Sequence, residues 1–563
     1  MLTIAALAAL AVLVLVTWKR CVFFIKKTLR TLLFVGLIGL ALAGGVLAVL
    51  DAIGGASLSA WSAGIAALLF LIYKLSKGLA LAGSAADVLD DARSLARLAR
   101  PFEPTPYIQK VRKSRKDVIF MGLDERRKPV LFPRAKLTKN HIEILGESGV
   151  GKSSLAGVLL SQLATAGECV VIFDPKADRM LPGVLARVGA ANGFPVINID
   201  LRYGQPAQIN PFFKARQDQV EELLQVALDL GKTGQGGVDF YRAKDREATG
   251  WMAAAFADGE TSMPELLEKA AEDDRVTENE NLWREFRQVA RIPAFQVHQG
   301  QAGHDLEQLL SRPSVIYVTG STTKLEVQAG QKLMLQRILQ ILDERADQSM
   351  PVAVFLDELK YILSPAALRA AGTIRDRNCH LIFAHQSLGD LSDCPGLDPK
   401  AVRGAVWGNC GIKIAYKMLD ADTARELSII SGERATTEAR TSDSGGKISL
   451  SKSIGKSSHM PPHVFTHLPK PTGLEASVGV IIGDGPARFL STRWLPAGDT
   501  PQPIAAPPLA EPAPPPAPAD IAPTADESHK QVTPADAPPA DESAPAQPDS
   551  ADILAADFDD FLK

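Results

Sequence analysis

The chain has 563 residues, enough for two or three domains, and an ordinary balance of 46% hydrophobic and 22% charged residues with a net charge of −3. Its five cysteines (Cys21, Cys169, Cys379, Cys394, Cys410) include no C-x-x-C pair and no histidine pair at metal-ligand spacing, which argues against a disulfide framework or a zinc site. Charge is uneven: residues 497–563 hold thirteen Asp and Glu against Lys530 and Lys563, a net of −11, so the preceding chain sums to +8, a balance that suits an anionic partner such as nucleic acid.

From the amino terminus, residues 31–50 (TLLFVGLIGLALAGGVLAVL) carry no charge for twenty positions, long enough as a helix to cross a bilayer. Residues 57–73 form a second apolar run ending at Lys74, so 31–73 reads as a transmembrane hairpin with its short turn at Asp51. A further apolar segment, 2–18, lacks the basic start of a signal peptide. The cluster Lys19, Arg20, Lys26, Lys27, Arg30 and the later Lys74 belong on the cytoplasmic side, which places the rest of the chain in the cytoplasm. Residues 76–114 have leucines at helical spacing among charges and read as a helical linker.

Gly146, Gly151, Lys152 and Ser153 match G-x-x-x-x-G-K-[ST], between the apolar strand IEIL and a helical run. That context makes a phosphate loop: Glu147, Ser148, Gly149 and Val150 supply wrapping backbone, Lys152 neutralises terminal phosphates, and Ser153 coordinates Mg²⁺, with Ser154 next on the helix. ATP and Mg are therefore the expected cofactors. A second acidic strand end must hold the metal, and VVIFDPK (Asp174) competes for that role with VAVFLDELK (Asp357, Glu358). Hydrolysis needs a metal carboxylate and a neighbouring base for water, and the second strand supplies both. Asp357 is assigned to the metal and Glu358 to water activation. The strand HLIFAH delivers Gln386 to the same sheet edge, where an amide can sense the terminal phosphate. Before it, TIRDRNC offers Arg375 and Arg377 as arginines that a ring neighbour would insert.

The series D-P-K, N-P-F (210–212), D-E-L and A-H-Q-S, behind a membrane hairpin and a P-loop, resembles the type IV secretion coupling proteins of the TraD and TrwB kind. The resemblance covers about residues 115–495. It implies an α/β, RecA-like motor (115–211 and 313–496) in a hexameric ring, with an inserted all-α domain (212–312), preceded by transmembrane helices. It also implies DNA-stimulated ATP hydrolysis that couples relaxase-bound single-stranded DNA, without sequence preference, to a type IV secretion channel. The outer turn here is shorter than in that family, and an extra apolar run precedes it.

Within the insert, Trp283, Arg284, Arg287 and Arg291 are candidate DNA contacts, although a tryptophan at helical spacing is more often core. Residues 431–470 read as a polar, flexible, modestly basic loop suited to a phosphate backbone. Residues 497–563 are rich in Pro, Ala, Asp and Glu and read as a disordered tail, ending in ADILAADFDDFLK, an acidic docking motif for a relaxosome protein. Two other readings share parts of this pattern: an FtsK-like double-stranded DNA translocase, and a nucleotide-gated receptor for secreted protein cargo. The acidic tail in place of a winged-helix reader weighs against the first, and the Asp357–Glu358 pair against the second.

Overall fold

The computed structural model describes residues 92–231, 236–299, 303–444 and 447–505. The apolar segments 2–18 and 31–73 and the tail beyond 505 lie outside the described residues. Among the described residues, no helix is long and apolar enough to cross a membrane.

Among the described residues thirteen strands are formed. They are β1 (Val118–Leu123), β2 (Pro129–Pro133), β3 (His141–Leu145), β4 (Cys169–Asp174), β5 (Val196–Asp200), β6 (Ser314–Thr319), β7 (Val352–Leu356), β8 (Cys379–His385), β9 (Cys410–Ala415), β10 (Glu433–Ser444), β11 (Lys447–Ser458), β12 (Ser477–Ile482) and β13 (Arg488–Thr492). Eleven make one sheet in the order β2-β1-β13-β12-β9-β3-β8-β7-β4-β6-β5. The run from β9 to β5 is parallel, and β12, β13, β1 and β2 extend it with antiparallel pairings. Strands such as CVVIFD and VAVFL are buried along their whole length, as a parallel sheet covered on both faces requires. On one face Leu155, Leu159 and Leu163 of the helix Lys152–Thr165 pack over Ile142, Ile144 and Ile172.

The opposite face is covered by the long helix Leu325–Glu344 and by helices inserted between β5 and β6. The insert consists of the helices Gln217–Ala227, Gly236–Ala254, Met263–Glu272, Asp274–Thr277, Glu280–Ala290 and Leu306–Leu310, with a 3-10 turn at Pro293–Phe295. Its buried side chains, among them Val220, Leu223, Phe286 and Val289, are continuous with Phe173 and Val354 of the sheet in one apolar core. Trp283 packs on that core and carries the Arg287 guanidinium 5.1 Å from its ring centroid. Its role is thus packing. The helices Ala92–Leu98 and Pro104–Ser114 fall in the expected linker, and Leu95 and Leu98 are buried against the sheet's antiparallel end.

The segment read as a flexible loop is built differently. β10 and β11 pair antiparallel from Glu433↔Ser458 to Ser444↔Lys447, and the helix Pro462–His467 follows. The period-two spacing of Ile448, Leu450 and Ile454 within KISLSKSIG is the strand signal that its serines and glycine obscure. With the dipeptide Gly445-Gly446 between them, the two halves read as a hairpin.

Candidate functional site

Four neighbouring parallel strands, β3, β8, β7 and β4, deliver their carboxyl ends to one edge of the sheet, each ~4.8 Å from the next. β3 runs into the phosphate loop. Gly146 has φ 145° and a Cβ there would lie 2.8 Å from Tyr416 Cβ; Gly151 has φ 110° and its Cβ would lie 1.8 Å from Ser477 Oγ. Both positions therefore exclude side chains. Between them the Glu147 N–H donates to Lys417 O at 3.0 Å, and Val150 is buried beneath the loop. The fourteen-residue helix starting at Lys152 aims its unpaired N–H groups and positive dipole end into this concavity, while Ser153 and Ser154 sit half-buried on its first turn. The Lys152 ammonium donates to Gly146 O at 2.6 Å and Glu147 O at 3.1 Å. Burial pushes its pKa down, opposed by the charges of Glu358 and Asp357.

β7 ends in Asp357 and Glu358. The Asp357 N–H donates to Phe173 O at 3.0 Å, which fastens the residue to the end of β4. Burial first, then the negative charges of Asp174 and Glu358, raise its pKa to about 7. Glu358 is buried and sits in the left-handed region (φ 45°, ψ 54°), a conformation that costs a non-glycine residue about 1–3 kcal/mol and clusters at functional sites. Its carboxylate pairs with Lys176. Gln386, just beyond β8, places its amide nitrogen 3.4 and 3.5 Å from the two Glu358 oxygens, and its own N–H donates to Asp390 at 2.8 Å.

Asp174 plays another part. Its carboxylate accepts from Tyr317 Oη and from the N–H groups of Lys176 (2.9 Å) and Asp178 (2.6 Å), so it closes the loop after β4. That loop carries Lys176 to Glu358. Lys176 had no role in the sequence reading, since nothing in D-P-K indicates a partner 182 positions away.

The structure thus brings together Lys152, Ser153, Asp357, Glu358 and Gln386. It does not bring Arg375 or Arg377 to them. Both lie in the 3-10 segment Ile374–Arg377 at the amino end of β8, and seven strand residues separate that end from Gln386, roughly 23 Å. Arg377 pairs with Asp343 at 3.0 Å, while Arg375 is exposed and has no ion pair among the described residues.

The donor set fits a magnesium nucleotide. Asp174, Asp357 and Glu358 outnumber Lys152 and Lys176, and a divalent ion shared between Ser153, Asp357 and phosphate oxygens would relieve that excess. Among the described residues no group of three or more His, Cys, Asp or Glu could hold a metal by itself. Cys169, Cys379, Cys394 and Cys410 are buried and free, and burial raises the thiols of Cys169 and Cys379 to about 12.

Residues 351–470 match the family described as the TraM recognition site of TraD and TraG, and residues 120–180 match the central domain of the helicase HerA. Mobilization protein A of Escherichia coli is 29% identical over 345 residues, which is 60% of this chain and 63% of that relative. Among solved structures, an unbound form of the bacterial conjugative coupling protein TrwB superposes with a TM-score of 0.51 at 15% identity, covering 72% of this chain and 95% of that one. The same protein in complex with ADP and Mg²⁺ gives 0.50 at 15% identity, with 72% and 96% covered. At this identity the structural likeness is one of fold, an α/β P-loop ATPase fold. Over these spans the chain is similar to the TraD and TraG recognition domain, to a mobilization protein and to the fold of a conjugative coupling protein.

Proposed function

We propose that the chain is a membrane-anchored ATPase that couples relaxase-bound single-stranded DNA to a type IV secretion channel. The observation that carries this reading is the placement of Glu358 beside Asp357, facing Gln386, at the carboxyl edge that also holds the phosphate loop. A nucleotide-binding switch needs the loop and a metal carboxylate. A second buried carboxylate held next to an amide is what activation of a water requires.

In this reading Lys152 leaves its loop carbonyls for the terminal phosphates, Glu358 orients the attacking water, and Gln386 registers the phosphate. A bound magnesium ion, held through Ser153 and Asp357, supplies charge neutralisation. Arg375 or Arg377 acts on a neighbouring subunit in a homo-hexamer, because neither is within reach of its own chain's loop. Segments 2–18 and 31–73 anchor the ring in the inner membrane, the β10–β11 hairpin offers backbone and basic residues to DNA, and the acidic tail receives a relaxosome protein. The family domain over 351–470 and the mobilization relative support the link to conjugation.

The test is ATP turnover by the full chain in detergent or nanodiscs, with single-stranded DNA, duplex DNA or no DNA, beside Lys152→Ala. Stimulation by single strands is expected. Stimulation by duplex alone would favour an FtsK-like translocase, and no response to DNA with a rise on adding protein cargo would favour the receptor. Deleting 551–563 should lower transfer while turnover persists, and unchanged transfer would remove the docking role.

A further inference from the structure

β3, the strand that becomes the phosphate loop, carries a carboxylate at its centre. Glu143 is fully buried, an unfavourable place for a charge unless partners replace its water. Two partners do so. Glu143 Oε1 lies 2.8 Å from His385 Nε2, and Oε2 accepts from Lys413 Nζ at 2.8 Å. Burial pushes the Glu143 carboxyl up, but the hydrogen bonds and charges of His385 and Lys413 outweigh it and hold the pKa below its ordinary value.

The three residues come from the three central strands, β8, β3 and β9, and each strand leads to a different part of the site. β3 leads to Gly146. β8 leads through His385 to Gln386. β9 leads to Lys417, whose carbonyl holds the Glu147 N–H. His385 occupies the junction. Its Nδ1 is 2.8 Å from Ser387 O, so both ring nitrogens face oxygen atoms. Its own carbonyl accepts from the Gly146 N–H at 3.2 Å. One residue is thus bonded to the first glycine of the phosphate loop, to the turn that carries Gln386, and to the buried carboxylate. On the far side Lys413 donates to Trp407 O at 2.7 Å and Cys410 O at 3.0 Å, tying the cluster to the segment Gly404–Gly408.

We propose that His385, held by Glu143 and Lys413, is a positioning residue for ATP hydrolysis: it fixes Gln386 against Glu358 and the phosphate loop against β8, so that both move as one body. This rests on the ATPase reading above. The bond from His385 to the loop is made by its main-chain carbonyl, which a side-chain substitution leaves in place, so the effect of the ring passes through the turn that carries Gln386.

The experiment measures kcat and KM for ATP in the full chain for His385→Phe, Gln386→Ala, the double variant, and Glu143→Gln. His385→Phe keeps ring volume and removes both hydrogen bonds. It is expected to lower kcat about 10–100-fold while KM stays within about threefold, since misplacement of a reacting group by about 1 Å costs that much. The double variant should lose no more than about twofold beyond Gln386→Ala alone, because the two changes remove one function. His385→Asn, whose amide can still donate to Glu143, should recover part of the loss. Multiplying losses in the double variant, or a fall in KM-dependent binding with kcat intact, would overturn the proposal. If His385→Phe fails to fold, Glu143→Gln carries the same pattern, and an unchanged kcat there overturns it equally. Turnover in Lys152→Ala equal to wild type would instead overturn the ATPase reading, and this inference with it.

Discussion

Lys176, two residues beyond the end of β4, closes an ion pair onto Glu358 at the end of the neighbouring strand β7. The carboxylate is almost fully buried and the lysine is 38% exposed, so the pair is a charged lid on the group that would orient water. The pair also fixes the carboxylate in one place, which a base that must orient a single water requires. Replacing Lys176 with Met should therefore reduce kcat for ATP by about 10–100-fold, a part of the roughly 10²–10⁴-fold that a general base contributes, and leave nucleotide affinity within a few-fold. Steady-state turnover together with fluorescent-nucleotide titration separates the two effects. A large loss of affinity with normal kcat would show that Lys176 serves phosphate binding instead.

The raised pKa of Asp357, about 7, carries a pH dependence whose sign is defined. The folded carboxyl binds its proton more tightly than the unfolded one, so its contribution to stability is complete below the unfolded value of about 3.9 and is lost as pH rises through about 7. Without magnesium, thermal stability should fall from pH 5 to pH 8 with a slope of at most about 1.4 kcal/mol per unit from this group. Asp357→Asn should flatten that slope in part, because burial raises the Asp174 carboxyl in the same sense. Magnesium should restore wild-type stability at pH 8 and have little effect on the Asn variant. Parallel melting curves for the two proteins across that range would refute the assignment.

Gly151 combines φ 110° with a Ser477 hydroxyl 1.8 Å from where a Cβ would stand. Gly151→Ala should lower stability by about 1–3 kcal/mol and abolish nucleotide binding, through backbone strain and the clash. Adding Ser477→Gly should recover the steric part of the stability and little of the binding. Calorimetric melting and nucleotide titration of the single and double variants read both. A double variant no more stable than Gly151→Ala would remove the clash from the account.

Arg375 is exposed at the far edge of the sheet, and Arg377 is tied to Asp343. A free guanidinium is the better finger, so Arg375→Ala should reduce turnover by about 10³-fold and Arg377→Ala by less than about tenfold. Mixing Arg375→Ala subunits with Lys152→Ala subunits should restore part of the activity, since each supplies what the other lacks. No recovery on mixing would exclude action between subunits.

Sequence legibility followed the range of the interactions. The phosphate loop is a local device, and Gly146, Lys152 and Ser153 could be placed because a strand, a glycine turn and a helix start lie within a few residues of one another. Asp357, Glu358 and Gln386 were legible as polar residues at the ends of strands with apolar centres. The hairpin Glu433–Ser458 was missed because its composition mimics a linker, although its alternation is that of strands. The helices of the insert follow the 3.6-residue spacing of its sequence, yet its shared core with the sheet was invisible, since Val220 and Val354 join one cluster only after folding.

By itself, then, the sequence determined which chemical groups the site would contain: backbone donors, a lysine, a serine hydroxyl, two carboxylates and an amide, each fixed to the end of a locally encoded element. The tertiary structure decided how those groups are coupled. The order β9-β3-β8-β7-β4 is set by crossovers whose packing against two helical layers no short segment encodes. That order puts Lys176 on Glu358, lets Asp174 tie the loop that carries Lys176, joins Glu143 to His385 and Lys413, and holds Arg375 a strand's length from its own chain's phosphate loop.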